Sequence, residues 1–107
     1  MTTTEFDTLL AAIAVGNPAA RVLATEVITD VCKTLEVDQA AVLANRLVAL
    51  RLDEALPDCQ ESQLNALGTL KASFQLPAAT FAGLARLRDH PLDAEQEEYL
   101  AELLEDE

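Results

Sequence analysis

The sequence predicts an all-α protein, a compact bundle of five to six short helices. Alanine and leucine each occur 19 times among the 107 residues, and both have high helix propensity. Valine, isoleucine and threonine never alternate with polar residues at the period of two that a strand requires. Capping residues and prolines divide the chain into six apolar-periodic segments with short connections, which is typical of a helical bundle.

Capping residues predict where the first two helices begin. Thr4, with Asp7 three residues later, predicts the start of the first helix, and Asn17 followed by Pro18 predicts the start of the second. We expect the second helix to run to about Leu35. The apolar positions with helical spacing, which we expect to be buried, are Phe6, Leu9, Leu10 and Ile13 in the first helix and Ala20, Leu23, Ala24, Val27, Ile28, Val31 and Leu35 in the second.

The third segment is apolar nearly all round. It begins at its predicted N-cap, Asp38, and from Ala40 to Leu50 only Asn45 and Arg46 are polar. Such a helix either lies at the centre of the bundle or is covered by a second copy of the chain. In a homodimer of that kind, Arg46 and Arg51 would reach carboxylates across the interface.

The remaining three helices follow the same rules. Asp58 with Glu61, and Asp93 with Gln96, have the spacing of a capping box and predict the starts of the fourth and sixth helices. Gly68 inside the fourth helix indicates either that another backbone approaches closely there or that the helix tolerates an irregularity. The predicted core positions are Leu64, Leu67, Leu70 and Phe74 in the fourth helix, Phe81, Leu84, Ala85 and Leu87 in the fifth, and Tyr99, Leu100, Leu103 and Leu104 in the sixth.

Charge is distributed unequally along the chain. Seven basic and ten acidic residues precede Asp89, a balance of −3, whereas nine acids and no basic residue lie from Asp89 to Glu107. No long linker separates the helices, so we expect a single domain over residues 1–107 with an acidic C-terminal helix at about 93–105. Acids crowd the negative end of that helix, so its apolar stripe must be buried, either on its own bundle or on another protein.

The acidic C-terminal helix is the candidate binding element. We expect it to meet a basic surface on a protein partner, where complementary charge sets association rate and specificity. The candidate partner-binding residues are Asp93, Glu95, Glu98, Tyr99, Glu102, Glu105 and Asp106.

The sequence lacks the motifs of the common enzyme classes. It contains no glycine-rich phosphate loop and no nucleophile elbow, and His90 is the only histidine. Cys32 and Cys59 lie 27 positions apart without metal-ligand spacing, so they read as buried, reduced residues. We therefore expect a protein without catalytic residues, cofactor or bound metal.

Residues 31–52 contain a stretch that resembles the turn and the first residues of the recognition helix in a helix-turn-helix. Only Gln39, Asn45, Arg46 and Arg51 could reach DNA from that helix, because its other positions are mostly apolar. With a net charge of −12, the chain also lacks the clustered basic residues that nucleic-acid binding needs. Nucleic acid is therefore a disfavoured partner.

Membrane insertion and secretion are also disfavoured. The longest uncharged run, Ala72 to Ala85, is 14 residues, shorter than the roughly 20 that span a bilayer. The first residues carry acid where a signal peptide carries positive charge, so we expect a cytoplasmic protein. The sequence thus predicts a small non-enzymatic interaction protein, such as an adaptor, inhibitor or immunity-type antagonist. The alternative is a degenerate helix-turn-helix regulator or a structural homodimer built around residues 31–52.

Overall fold

Six α-helices joined by short turns make up the computed structural model of the protein, which describes residues 1–105. The predicted all-α bundle is confirmed. Two short 3-10 helices, Cys32–Thr34 and Arg86–Asp89, follow the second and fifth α-helices. The α-helices are α1 (Thr3–Ile13), α2 (Pro18–Val31), α3 (Val37–Asp53), α4 (Pro57–Ser73), α5 (Ala78–Ala85) and α6 (Ala94–Leu104).

The start of α1 lies slightly before the predicted one. The cap is Thr2 and not Thr4: the Glu5 N–H donates to Thr2 Oγ1 at 3.1 Å, and the Thr2 N–H donates to Glu5 Oε1 at 3.0 Å. This reciprocal pair satisfies two of the backbone donors that a helix N-terminus leaves unpaired. Thr4 and Asp7 therefore lie inside the helix.

Two other predicted caps also lie inside their helices. Helix α3 begins after Glu36, whose N–H donates to Gln39 Oε1 at 3.0 Å, so Asp38 is in the first turn. Helix α4 begins directly at Pro57 without a side-chain cap, which leaves Asp58 in its first turn. Proline suits this position because its fixed φ is helical and it has no N–H to satisfy.

Helix α2 begins as predicted and ends earlier than expected. The Ala20 N–H donates to Asn17 Oδ1 at 3.0 Å, and Pro18 is the first helical residue. The α-helix ends at Val31, and a 3-10 helix carries the chain to the predicted end near Leu35. Tightening of this kind is common where an α-helix ends.

The buried face of α2 differs from the predicted one. Ile28 is fully buried as expected, but Leu23 is 65% exposed and Val27 is 42% exposed. Thr25 is buried instead, and its hydroxyl donates to the carbonyl oxygen of Arg21 at 2.7 Å. Because that bond satisfies the hydroxyl inside the protein, a threonine occupies a position that hydrophobicity alone assigns to a larger apolar residue.

Helix α4 lies at the centre of the packing. It contacts α2, α3 and α6, while α1 packs on α2 and α3, and α5 packs on α3 and α6. All six helices contribute to one apolar core, in a molecule whose Cα radius of gyration is 12.9 Å. Within residues 1–105, none of the helices has the length and apolar content needed to cross a membrane.

Helix α3 is buried along one side and open along the other. The inner side includes Leu43 and Leu47, both fully buried, so the predicted central position holds for that side. The outer side exposes Val42, Asn45, Arg46 and Ala49. Arg51 lies on the inner side and is only 1% exposed, so the expectation that it reaches across a homodimer interface is wrong.

An ion pair links α2 to the turn before α4. Arg21 Nε and Nη2 donate to the two carboxylate oxygens of Glu54, each at 3.1 Å, and Gln63 Nε2 donates to Glu54 Oε1 at 3.1 Å. Burial raises the pKa of the Glu54 carboxyl, but the hydrogen bonds from Arg21, the Leu56 N–H and Gln63, together with the positive charge of Arg21, outweigh that effect and hold the pKa below its ordinary value. This is the only ion pair within residues 1–105.

Candidate interaction surface

Helix α6 begins at the predicted cap but uses only half of a capping box. Asp93 Oδ1 accepts a hydrogen bond from the Gln96 N–H at 2.7 Å. The Gln96 side chain does not return to the cap and turns inward: its Nε2 donates to Gln60 Oε1 at 3.0 Å, and its Oε1 accepts from Arg51 Nη2 at 3.3 Å. Gln96 therefore ties the first turn of α6 to the polar groups beneath it.

The apolar stripe of α6 docks on its own bundle. Leu100, Leu103 and Leu104 are buried against the core, and α6 packs on α4 and α5. Of the two alternatives for this stripe, burial on the protein's own helices is therefore the observed one. The opposite face of α6 is left to solvent.

Tyr99 lies half-buried at the edge of this docking site. Its hydroxyl oxygen lies over Gly68 of α4, in the space that a Cβ would occupy, and the nearest ring atoms lie 3.4 and 3.6 Å from that position. As one of two alternatives, the sequence suggested that a backbone approaches Gly68. In the structure a side chain, that of Tyr99, makes the close approach instead. Burial, with a smaller effect from the negative charge of Glu102, raises the pKa of the Tyr99 hydroxyl, so Tyr99 stays neutral.

Exposed carboxylates line the outer face of α6 and its C-terminal end. Glu95, Glu98 and Glu102 are exposed along one side of the helix at spacings of three and four residues, and Glu105, the C-cap residue just after the helix, is exposed beyond them. The predicted site residue Asp93 is exposed at the N-terminal end, and Asp106 lies outside the described residues. We call Glu95, Glu98, Glu102 and Glu105 the outer acidic face.

A lysine from α4 holds the C-terminal end of α6. Lys71 Nζ donates to the carbonyl oxygens of Glu102 and Glu105, at 3.2 and 2.8 Å. A cation at the negative end of a helix offsets part of the repulsion from the acids crowded there. The ammonium group also lies 5.9 Å from the centre of the Phe81 ring.

Further carboxylates lie next to the outer acidic face across α4. A groove of about 190 Å³ separates α4 from α6 and is lined in part by Asp93 and Glu95. A second groove, of about 460 Å³, lies between α2 and α4 and is lined in part by Glu26, Asp58 and Glu61. Both grooves border Glu61 of α4, and no basic residue within residues 1–105 lines either of them. Acidic groups therefore extend across three helices.

The sequence contained a partial signal for this extension. Asp58, Glu61 and Asn65 recur at helical spacing on one face of α4, which marks a polar outer face. The spacing of Asp58 and Glu61 predicts only the start of a helix, and nothing in the linear sequence places Glu26 of α2 beside them. That proximity arises from the packing of α2 on α4.

The four side chains proposed to reach DNA do not form one surface. Gln39 Nε2 donates to the carbonyl oxygen of Met1 at 2.9 Å, and Asn45 Oδ1 accepts from the Thr80 hydroxyl at 2.6 Å. Arg51 is buried, which contradicts its predicted place on a recognition surface. Arg46 is exposed.

The groups considered for other chemistry lie apart from one another. His90 is exposed after the second 3-10 helix, and Cys32 and Cys59 are free and buried. In the part of the chain that the structure describes, no three histidine, cysteine or acidic side chains are placed to hold a metal ion.

Comparisons with protein families, with curated proteins and with solved structures found no match to this chain.

Proposed function

We propose that this protein is a small non-enzymatic interaction protein, an adaptor, inhibitor or immunity-type antagonist, that binds a basic surface of a protein partner. The outer acidic face of α6 is the proposed contact. The two reduced, buried cysteines fit a cytoplasmic place of action, where thiols stay reduced.

The proposal rests on the difference between the two faces of α6, one buried and one exposed. Its leucines are buried in the core, so the helix is held in place, while its four outer carboxylates face solvent. Within residues 1–105 none of these carboxylates has an ion-pair partner. A fixed row of unpaired like charges repels itself, and an oppositely charged partner would relieve that repulsion.

The charge of the face predicts how binding depends on salt. Exposed charges are screened over about 10 Å at 0.1 M salt, so the association rate should fall as salt is added. Lysine and arginine on the partner would supply the opposite charge, with contacts to half-buried Tyr99 adding apolar area.

The test is recovery of partners from native lysate with charge-neutral variants of the full chain. Deletion of α6 is unsuitable because it would expose the core leucines that the helix covers. The test variant replaces three carboxylates of the outer acidic face by amides: Glu95→Gln, Glu98→Gln and Glu102→Gln. The matched control removes the same charge from exposed positions on α1 and α3: Asp7→Asn, Asp38→Asn and Asp53→Asn.

We expect the wild type and the control to recover the same partner and the α6 variant to recover roughly tenfold less of it. Equal recovery by all three proteins would show that the outer acidic face is not the contact. Equal loss in both variants would mean that only net charge matters.

A further inference from the structure

An apolar pocket of about 350 Å³ lies where α2 and α4 begin, and it shares Val22 and Asp58 with the groove between these helices. Within residues 1–105 its lining is apolar except for Asp58, and comprises Pro18 and Val22 of α2, Leu56 in the turn before α4, and Pro57, Asp58 and Cys59 of α4. Pro18, Leu56 and Pro57 are exposed, so solvent reaches the apolar part of the pocket. We call it the Leu56 pocket.

Leu56 occupies a position that neither its helix nor the core explains. It is the N-cap residue of α4, where no side chain caps the helix, and it is 42% exposed. Asparagine, aspartate or serine is favoured at an N-cap because its oxygen accepts a backbone N–H, which a leucine cannot do. Natural proteins break local sequence rules of this kind mainly at functional sites. An apolar group placed against Leu56 would bury the area that the bundle leaves exposed.

Hydrogen bonds and prolines fix the walls of the pocket. Arg21 of α2 donates to both carboxylate oxygens of Glu54, in the turn that leads to Leu56, each at 3.1 Å. The Cys59 thiol donates to the carbonyl oxygen of Pro18 at 3.6 Å, so the first turns of α2 and α4 are joined directly. Both turns begin with a proline of fixed φ. A pocket formed in advance loses little conformational entropy when it is filled.

Charge around the pocket indicates what would fill it. Asp58 also lines the groove that carries Glu26 and Glu61, and Pro57 also lines the acidic groove between α4 and α6. No basic residue of the described chain lines any of these three depressions. A second copy of the chain would bring another −12 charges and be repelled, whereas a basic protein would be attracted.

We propose that the Leu56 pocket receives a phenylalanine or leucine side chain of the basic protein partner, with a neighbouring lysine or arginine of that partner at Asp58. The inference rests on the proposed function and adds an apolar anchor to it. Because Pro57 borders both the pocket and the groove beside α6, one partner surface can cover the pocket and the adjoining end of the outer acidic face. Salt does not screen apolar contact, so the anchor supplies affinity that persists where charge attraction has weakened.

The test compares two end-blocked peptides, Lys-Lys-Phe-Lys-Lys and Lys-Lys-Ala-Lys-Lys, which carry the same charge. Each is titrated into the full chain at about 0.15 M salt, and amide NMR shifts give both the affinity and the place of contact. We expect the phenylalanine peptide to bind roughly tenfold more tightly, with shifts at Leu56, Asp58 and Cys59. Equal affinities of the two peptides for the wild type would overturn the pocket.

Two matched variants assign this preference to the pocket. Leu56→Asn removes apolar wall and supplies a neutral cap, so we expect the preference for phenylalanine to disappear while the unfolding midpoint rises. Leu23→Asn makes the same replacement at a leucine that is 65% exposed on α2 and does not line the pocket, and it should keep the preference. A preference that survives in Leu56→Asn, or that disappears equally in both variants, contradicts the inference.

The α6 variant and the α1/α3 control defined above decide the proposed function separately. If the α6 variant binds both peptides more weakly than the control, the proposed function stands even where the pocket fails. If the two bind alike and the preference for phenylalanine remains, the pocket stands and the outer acidic face is removed as the contact. No binding of either peptide by the wild type overturns both proposals. A dimer detected by light scattering and abolished by Leu56→Asn would assign the pocket to a second copy and overturn its role with the partner.

Discussion

Arg51 shows how a residue type can mislead when only the sequence is read. It looked like a surface cation on an apolar helix, yet its side chain is buried, with one hydrogen bond to Gln96. Its Nε has no partner within residues 1–105, and burial lowers the pKa of the guanidinium despite the opposing effect of Glu54. A buried charge with few partners costs free energy, and the packing of the long Arg51 side chain offsets part of that cost.

Substitution of Arg51 measures that balance. We expect Arg51→Met to leave the free energy of unfolding unchanged or to raise it by about 1–2 kcal/mol, because it keeps the volume and removes the buried charge. Arg51→Ala should lower it by about 2–3 kcal/mol through the cavity it leaves. Urea unfolding of both variants checks this. Equal destabilisation by the two substitutions would show that the polar contacts of Arg51 stabilise the fold.

Gly68 and Tyr99 form a second residue-scale test. Gly68→Ala ordinarily stabilises a helix interior by about 1 kcal/mol, but here the new Cβ overlaps the Tyr99 hydroxyl. We expect no net gain in the wild type and a gain of about 1 kcal/mol in the Tyr99→Phe background, where the hydroxyl is gone. A double-mutant cycle in urea measures the coupling. Equal effects of Gly68→Ala in both backgrounds would contradict the contact.

At the scale of the helices, α6 is fastened at both ends by side chains from other helices. Gln96 holds its first turn through Gln60 and Arg51, and Lys71 holds its last turn through two carbonyl oxygens. These fastenings offset an unfavourable charge pattern, since the acids near the negative end weaken the isolated helix.

The fastening by Lys71 can be removed with little change in volume. We expect Lys71→Met to lower the free energy of unfolding by about 1 kcal/mol and to increase hydrogen exchange at the last turn of α6. The effect should shrink as salt is added, because salt screens the interaction with the helix end. If hydrogen exchange increased only in α1 and stayed unchanged in α6, this role of Lys71 would be contradicted.

The helices themselves were largely predictable, and their exact packing was not. Apolar spacing located all six, because the core face of a helix repeats in the sequence. Three helix starts lie two residues before the predicted caps Thr4, Asp38 and Asp58, since several polar residues near a helix start compete to cap it. Leu23 was expected in the core and is exposed, whereas Thr25 is buried, because the face of α2 that packs on α4 and α1 is set by tertiary contacts that the sequence does not specify. The groove on α4 depends on the same packing and was missed for that reason.

For the whole molecule, the surface charge opposes folding instead of supporting it. The net charge is −12, and only one ion pair occurs within residues 1–105, so the apolar core holds the fold against the repulsion of its surface.

Salt should therefore stabilise the free protein. We expect the free energy of unfolding to rise by roughly 1 kcal/mol between low salt and 0.15 M sodium chloride, because the screening length falls to about 8 Å. The α6 variant with three carboxylates replaced should gain less. Thermal unfolding across a salt series measures both, and a midpoint that falls with added salt would contradict the expectation.

The two sides of α6 have an evolutionary consequence. Its leucines are part of the core, whereas its outer carboxylates make no ion pair within residues 1–105. Each carboxylate can therefore be substituted with little loss of folding stability. Selection on the choice of partner can then act on the outer acidic face one residue at a time, while selection on folding acts on the leucines. A lineage of such proteins can diverge in what it recognises and still inherit the same bundle.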